Sequence, residues 1–301
     1  MGLAPPWDYA SIDPPVIDDD NVPVPAWSEE ELRTEVRMFR DAGYNVLLAP
    51  QVCCTMVDVE DRSDEWWEAW YAEYTSFVRF HAVIAKEESV DALSINGRPE
   101  SYPGNPFAPS FAEERWEAIF DEARKAGVPL GLGMVTGVQD GVTPQPPWPP
   151  ESAAFFDDVD FLAMSVWDGL VDKQDPSMSE IDAGFDRVFY GLDHAHNISQ
   201  KPVVFTQVAY FSEVDGAKSK GPETFPTWGN VEANRTRFDA DLQARIYESL
   251  MRHVAPRAYI EGAFPFGYAY LDAPLTLDSD IRAKPAEDVF VGWAERLRGP
   301  G

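Results

Sequence analysis

The sequence predicts an α/β protein that is built on a parallel β-sheet. Short apolar runs with the composition of strands alternate along the chain with longer amphipathic segments of helical spacing. Several of the helical segments begin at a capping residue or end at a glycine, which separates them from the strands. Strands that alternate with helices at this spacing form βα units, whose strands lie parallel in one sheet.

The strands and helices can be placed in order along the chain. Strands are predicted at 44–49, 90–95, 128–135, 159–166, 202–206 and 258–264. The first helix follows a capping box that runs from Ser28 to Glu31, and it ends at Gly43. Asp64 is expected to cap a second, aromatic-rich helix. Further helices are predicted over 110–126, 180–196, 234–254 and 285–297.

The N-terminal region is shorter than a complete βα unit. Residues 3–8 have the composition of the last few residues of a strand, and we expect a loop from there to Trp27. The sequence contains no internal repeat and no linker-like segment. We therefore predict a single, N-terminally clipped domain over residues 1–301.

Composition and charge exclude several classes of function. The 52 acidic residues against 24 basic ones give a net charge of −28, which argues against binding nucleic acid or an anionic membrane. The charge fits either a chain adapted to high salt or an ordinary acidic surface. No transmembrane segment or signal peptide is visible, so the localisation stays open, as does the oligomeric state.

Metal, cofactor and disulfide signals are weak. Cys53 and Cys54 are the only cysteines, and adjacent residues do not easily reach disulfide geometry. No phosphate-binding glycine loop, HExxH motif or GxSxG motif occurs. We expect no cofactor and no metal.

One strand carries a resemblance to a known family. Lys201 and Pro202 are followed by apolar residues and by Phe205-Thr206-Gln207. This segment resembles the K-P-apolar-F-T-E strand of clan-A glycoside hydrolases, most closely the family 113 β-mannanases. Three further segments resemble motifs of that family: 47–52, with Gln51 in place of a histidine, the QARxYE helix at 243–248, and the KPAE of 284–287.

The resemblance implies a (β/α)8 TIM-type barrel and a position for each catalytic group. It also implies that the first βα unit and most of the second strand are missing from this chain. In the family the glutamate of the K-P strand is the nucleophile, but here Gln207 occupies its place. The acid/base follows another strand, where Asn96 precedes Arg98 at the aligned position and Glu100 lies two residues beyond it.

Other carboxylates could replace the missing one. Asp168 follows Trp167 at the end of a strand, where it could meet a sugar or simply cap a turn. Glu213 and Asp215 follow Gln207 in a segment that could either turn inward or form a solvated loop. Glu261 lies within a strand, where burial with a partner is the simpler interpretation.

Aromatic residues follow several strands, and we expect them to bind sugar. Apolar faces of sugar rings stack on aromatic rings, while acids and amides bind the hydroxyl groups. The predicted substrate-binding residues are Trp7, Asp8, Gln51, Asn96, Arg98, Trp167, Tyr210, Trp228 and Phe266. The tryptophans on helices are expected in the core instead, and His194 and His196 are expected at the surface.

These observations lead to one preferred function and two alternatives. We predict a glycoside hydrolase-like barrel that acts on a neutral β-linked oligo- or polysaccharide by a non-standard or impaired carboxylate mechanism, with Glu100, Gln207 and Asp168 as its catalytic residues. The first alternative is a non-catalytic carbohydrate-binding barrel. The second is a scaffold with no ligand.

Overall fold

A computed structural model describes residues 1–20, 27–52, 62–95, 109–135, 155–218, 237–267 and 277–298. The strands are β1 (Gly2–Leu3), β2 (Pro6–Ile12), β3 (Pro15–Asp18), β4 (Leu47–Leu48), β5 (Gln51–Val52), β6 (Ala92–Ile95), β7 (Leu130–Val135), β8 (Phe161–Val166), β9 (Val203–Val208) and β10 (Ile260–Pro265). The helices are α1 (Glu29–Asp41), α2 (Asp64–Glu87), α3 (Ala112–Arg124), α4 (Met178–Ser199), α5 (Ala240–Val254) and α6 (Pro285–Arg298). Within the described ranges, none of the helices is long and apolar enough to span a bilayer.

All of the predicted strands and helices are present, with bounds that differ by a few residues. The capping box of α1 is confirmed: the Ser28 Oγ accepts a hydrogen bond from the Glu31 amide at 3.4 Å, and the Glu31 carboxylate accepts one from the Ser28 amide at 2.9 Å. The predicted cap of α2 is wrong by one residue. Ser63 is the N-cap, and its Oγ accepts from the Trp66 amide at 3.2 Å. Asp64 begins the helix, where its negative charge faces the positive end of the helix dipole.

The loop that was predicted to run to Trp27 is also wrong over its first half, because β2 and β3 form an antiparallel hairpin. Tyr9 lies opposite Ile17, and both are buried. Helix α2 fixes the hairpin: the Trp70 Nε1 donates to the Tyr9 hydroxyl at 3.1 Å, and the Trp66 Nε1 donates to the Ile12 carbonyl at 2.7 Å. The hairpin is therefore held by tertiary contacts that the local sequence does not show.

The chain divides into two compact units. The first consists of Met1–Val135 and Trp148–Ala163, and the second of Thr136–Pro147 and Met164–Gly301. In the first unit, β1 pairs in parallel with β4, β4 with β6, and β6 with β7. In the second unit, β9 lies between the end of β8 and β10 and pairs in parallel with β10. Both units thus contain the parallel sheet that was predicted.

The core of the first unit contains the aromatic face of α2. Trp70 stacks on Tyr74 with ring centroids 4.9 Å apart, and Trp116 of α3 contacts Tyr74 at 5.7 Å. The prediction that helical tryptophans pack in the core is confirmed for these residues. His81 lies in the same face and is fully buried, with its ring 4.6 Å from that of Phe77.

In the second unit, an ion pair and aromatic rings tie the start of β10 to α4. The Arg257 Nε and Nη2 each donate to a carboxylate oxygen of Asp193 at 2.9 Å. The Arg257 guanidinium also lies 4.5 Å from the centroid of the Phe189 ring. His196 stacks on Tyr259 at 4.1 Å, whereas His194 is exposed as predicted.

Candidate functional site

The carboxyl ends of β8, β9 and β10 are aligned in the second unit. The Ala209 amide donates to the Val166 carbonyl at 3.0 Å, and the Phe266 amide donates to the Val208 carbonyl at 2.9 Å. This register brings five predicted site residues, which lie among the last residues of the three strands or directly after them, to one end of the sheet: Trp167, Asp168, Gln207, Tyr210 and Phe266. In α/β barrels, this is the end at which chemistry is placed.

A β-bulge lies at Thr206 and Gln207, next to the end of β9. Phe205 pairs with Ala263 and Val208 pairs with Pro265, so β9 has two residues between these pairs where β10 has one. The Phe205 ring packs against Phe189 of α4, with centroids 6.1 Å apart. The extra residue breaks the alternation that would otherwise send Phe205 and Gln207 to the same face of the sheet.

The amide of Gln207 is buried and not fully satisfied. The residue is 2% exposed. Its Oε1 accepts no hydrogen bond from any residue in the described part of the chain. Since buried polar atoms normally have a partner, this oxygen is free to accept a hydrogen bond from a water or a ligand hydroxyl.

Two half-buried aromatic residues flank the strand that carries Gln207. Trp167 follows β8, and Phe266 follows β10. Because β9 lies between these two strands, the partly accessible rings follow the strands on either side of the one that carries Gln207. This arrangement suits a sugar, whose apolar face stacks on a ring while its hydroxyls bind polar groups.

Asp168 and Tyr210 are both buried at the same strand ends. The pKa of Tyr210 is raised well above its ordinary value by burial, and the negative charge of Asp168 adds to the effect. The Tyr210 ring lies 5.6 Å from Phe185 of α4, and its hydroxyl has no partner among the residues that the structure describes. The structure thus brings Tyr210 to the site but buries its ring, and its predicted contact with sugar stays a prediction.

Of the two alternatives for the segment that follows β9, the structure agrees with the inward turn at Glu213. Glu213 is neither in a solvated loop nor unpaired: it is fully buried and forms an ion pair with Arg237. The Gly216 amide donates to the Glu213 carbonyl at 2.7 Å. A Cβ on Gly216 would lie 2.1 Å from the Phe211 carbonyl oxygen, so only glycine fits this turn. Asp215 is half-buried.

Glu261, for which burial with a partner was expected, is exposed. It is the extra residue of a second bulge in β10, between the pairs Ile260–Val203 and Gly262–Val204. The carboxylate is therefore directed to water, and the expectation of burial is wrong.

Two residues of α5, from the segment 243–248 that resembles the QARxYE helix, contact the end of β9. The Gln243 Nε2 donates to the Tyr210 carbonyl at 2.8 Å. The Tyr247 hydroxyl donates to the Val208 carbonyl at 3.1 Å. Their i, i+4 spacing places both on one face of the helix, and that spacing is the signal by which they could have been found.

Three predicted site residues lie in the first unit. The Trp7 ring lies 5.4 Å from Phe77, 5.1 Å from Phe80 and 5.5 Å from His81. Asp8 is buried, and one of its carboxylate oxygens accepts from the Tyr9 amide at 2.8 Å. Gln51 is buried in β5, and its backbone N–H donates to the Pro5 carbonyl at 3.0 Å. Their roles in binding stay predictions.

The remaining predicted site residues lie outside the described residues: Asn96, Arg98, Glu100 and Trp228. In the ranges that are described, no group of three or more histidine, cysteine or acidic residues could hold a metal ion.

Comparison with known proteins identifies the family and the fold. The family model described as Glycoside Hydrolase Family 113 matches residues 20–273. The β-mannanase AaManA from Alicyclobacillus acidocaldarius, solved in complex with ManMIm, superposes with a TM-score of 0.69 at 20% identity, covering 97% of this chain and 86% of that one. A GH113 β-1,4-mannanase gives a TM-score of 0.66 at 18% identity, over 99% of this chain and 87% of that one.

A more distant match is a β-glucuronidase from Ruminococcus gnavus, with a TM-score of 0.52 at 12% identity over 89% of this chain and 42% of that one. A search of curated proteins finds no match. At these identities the structural likeness establishes the fold class alone, which is the (β/α)8 barrel with its alternating helices and parallel strands.

Proposed function

Since the chain belongs to Glycoside Hydrolase Family 113, we propose that it binds a neutral β-linked oligo- or polysaccharide at the carboxyl ends of β8, β9 and β10. We further propose that any hydrolysis of this sugar follows a mechanism that does not use a nucleophile at residue 207. The related solved structures are β-mannanases, so β-1,4-linked manno-oligosaccharides are the first ligands to test.

The observation that carries this proposal is the amide of Gln207. It is buried at a bulged strand end, on the strand between those that half-buried Trp167 and Phe266 follow, with an oxygen that accepts no hydrogen bond from the residues described. A retaining glycosidase forms a glycosyl ester on a carboxylate at this kind of position. An amide is neutral and a poor nucleophile, so the ester pathway would be very slow here.

We propose a single-displacement reaction for the catalytic case. The carboxylate of Asp168 takes a proton from a water, and the water oxygen attacks the anomeric carbon. The Oε1 of Gln207 accepts a hydrogen bond from that water and orients it. The bond from the anomeric carbon to the glycosidic oxygen breaks as Glu100, whose role rests on the sequence alone, donates a proton to the leaving oxygen. The product would have inverted configuration.

A second candidate is a barrel that binds sugar without cleaving it. It is favoured by the same amide, because Gln207 can bind a sugar hydroxyl yet cannot replace a nucleophilic carboxylate. It is also favoured by the close association of Asp168 with the buried Tyr210, since a carboxylate that is held under the surface is poorly placed to receive a proton from a bound water.

The test compares the wild type with three variants on β-1,4-linked manno- and gluco-oligosaccharides. Gln207→Glu restores a carboxylate, Asp168→Asn removes the proposed base, and Glu100→Gln removes the proposed acid. Gln200→Glu adds the same charge at an exposed residue and serves as the control. Hydrolysis is measured by product chromatography, and binding by calorimetry.

The outcomes separate the candidates. An active wild type that loses about 100-fold or more in kcat with Asp168→Asn and with Glu100→Gln supports the single-displacement reaction. Activity that appears only in Gln207→Glu supports an impaired hydrolase. Binding without hydrolysis in all proteins supports the binding barrel. Absence of both binding and hydrolysis in every protein would overturn the proposal.

A further inference from the structure

The residues at the end of β9 form hydrogen bonds with β8, with α5 and with the residue that follows β10. The Val208 carbonyl accepts from the Phe266 amide at 2.9 Å and from the Tyr247 hydroxyl at 3.1 Å, so both of its lone pairs are used. The Tyr210 carbonyl accepts from the Gln243 Nε2 at 2.8 Å. Between them, the Ala209 amide donates to the Val166 carbonyl at 3.0 Å. Three consecutive residues after Gln207 are thus fixed to three different elements.

The Tyr247 hydroxyl acts as a hydrogen-bond donor to the Val208 carbonyl. Its side chain is fully buried, and burial raises the pKa of its hydroxyl, with the charge of Asp280 adding to the effect. The hydroxyl is therefore protonated at neutral pH and can donate. The only acceptor that the described structure gives this hydroxyl is the carbonyl that directly follows Gln207.

Gln243 is held on the opposite side by the segment that precedes α6. Its Nε2 lies 3.4 Å from the Asp280 carbonyl in addition to the bond with Tyr210. The Lys284 ammonium donates to the Asp278 carbonyl at 3.3 Å and to the Asp280 carbonyl, which fixes that segment in turn. The side-chain amide of Gln243 therefore cannot turn away from Tyr210 without also losing its contact with the Asp280 carbonyl.

These donors act on a strand end whose geometry is irregular. Without the extra residue at Thr206 and Gln207, the side chain at 207 would follow the regular alternation of the strand. The direction of that side chain therefore depends on the bulge being kept. A bulge leaves its extra residue unpaired and disrupts the ladder locally, so the hydrogen bonds next to it help to fix the backbone there. The bonds from α5 reach Val208 and Tyr210, which are among the three residues that follow it.

We propose that Tyr247 and Gln243 are positioning residues, which fix the backbone of residues 208–210 and thereby the direction of the side chain at 207. The consequence for sugar hydrolysis or binding rests on the proposed function, whereas the consequence for the conformation of Gln207 does not.

The first test measures the conformation of Gln207 directly. In protein labelled with ¹⁵N-glutamine, the side-chain amide signals of Gln207 are assigned by their loss in Gln207→Glu. Tyr247→Phe removes one hydroxyl and keeps the ring, and it should shift or broaden the Gln207 signals. Tyr74→Phe makes the same change at another fully buried tyrosine, in α2, and should leave them unchanged. Gln243→Met is the second variant and should move the same signals.

The second test measures function in whichever protein is active, the wild type or Gln207→Glu. Tyr247→Phe should lower kcat about tenfold and change KM less than about threefold, because it misdirects a group that acts on the reacting atoms. Tyr74→Phe should change neither.

Gln207 signals that stay unchanged in both Tyr247→Phe and Gln243→Met would overturn the proposal, as would a kcat that falls no more than in Tyr74→Phe. If no protein binds or cleaves a sugar, the proposed function fails, and the side-chain signals still decide whether α5 positions residue 207.

Discussion

A pH-dependent loss of stability should originate at His81. Its Nδ1 lies 2.9 Å from the Phe77 carbonyl, and because a carbonyl only accepts, Nδ1 carries the proton. Its Nε2 is buried, with no hydrogen-bond partner in the described parts of the chain, next to the rings of Trp7 and Phe80. A second proton on Nε2 would create a charged donor among aromatic side chains. Burial accordingly lowers the pKa of His81 to about 4, although the bond to Phe77 acts in the opposite direction.

The size of the effect follows from the two pKa values. Below its ordinary pKa of 6.5, the unfolded chain binds a proton at His81 that the folded chain does not bind until about pH 4. The free energy of unfolding therefore falls as the pH drops through this window. Each unit of difference is worth 1.36 kcal/mol, which gives a loss of about 2 kcal/mol by pH 5 and about 3 kcal/mol in full.

The assay is urea denaturation at pH 7 and pH 5 for the wild type and for His81→Phe, a ring that fits the same aromatic surroundings. The wild type should lose about 2 kcal/mol more than the variant between the two pH values. Replacing the exposed His194 by glutamine is the control for the removal of a histidine at the surface. Equal losses in the wild type and in His81→Phe would refute the argument, because they would mean that the His81 imidazole is accessible to protons in the folded chain.

Three further substitutions test packing and charge in the second unit. Arg257→Lys removes a bidentate ion pair with Asp193 and a contact with the Phe189 ring, and it should lower the free energy of unfolding in urea by about 2 kcal/mol. Arg79→Lys, the control, changes a more exposed pair with Glu122 and should lower it by less than about 0.5 kcal/mol. Equal losses in the two variants would contradict this. Lys284→Met removes a buried ammonium from its carboxylate and carbonyl partners, and it should lower the free energy of unfolding by about 3 kcal/mol in the same measurement. An unchanged free energy of unfolding would show that the charge is not needed. Gly216→Ala places a Cβ 2.1 Å from a carbonyl oxygen and should lower stability by about 2 kcal/mol, while an unchanged melting curve would show that the turn can relax.

The sequence was sufficient for the order of the strands and helices. The capping box of α1 and the apolar run of β9 are local signals, and local hydrogen bonding and burial decide both. The hairpin of β2 and β3 was missed because its stability comes from α2, whose Trp66 and Trp70 donate to it across more than 50 positions of sequence. Such contacts leave no periodic pattern in the segment itself.

The site was predicted less completely for a similar reason. The residue type at 207 can be read from the sequence, but the bulge that directs it depends on the register between β9 and β10. The burial of Glu213 depends on Arg237, which follows 24 positions later. In an acidic chain, a glutamate in a loop is normally solvated, and only a specific cationic partner overrides that tendency.

The bulge in β9 separates the direction of a side chain from its identity. Because the main chain and α5 fix where residue 207 points, the side chain there can change without any change of the frame that presents it. Glutamine and glutamate have the same shape and differ in one terminal group. A fold of this kind can therefore lose a nucleophile, or regain one, in a single substitution, while its core evolves separately from its chemistry.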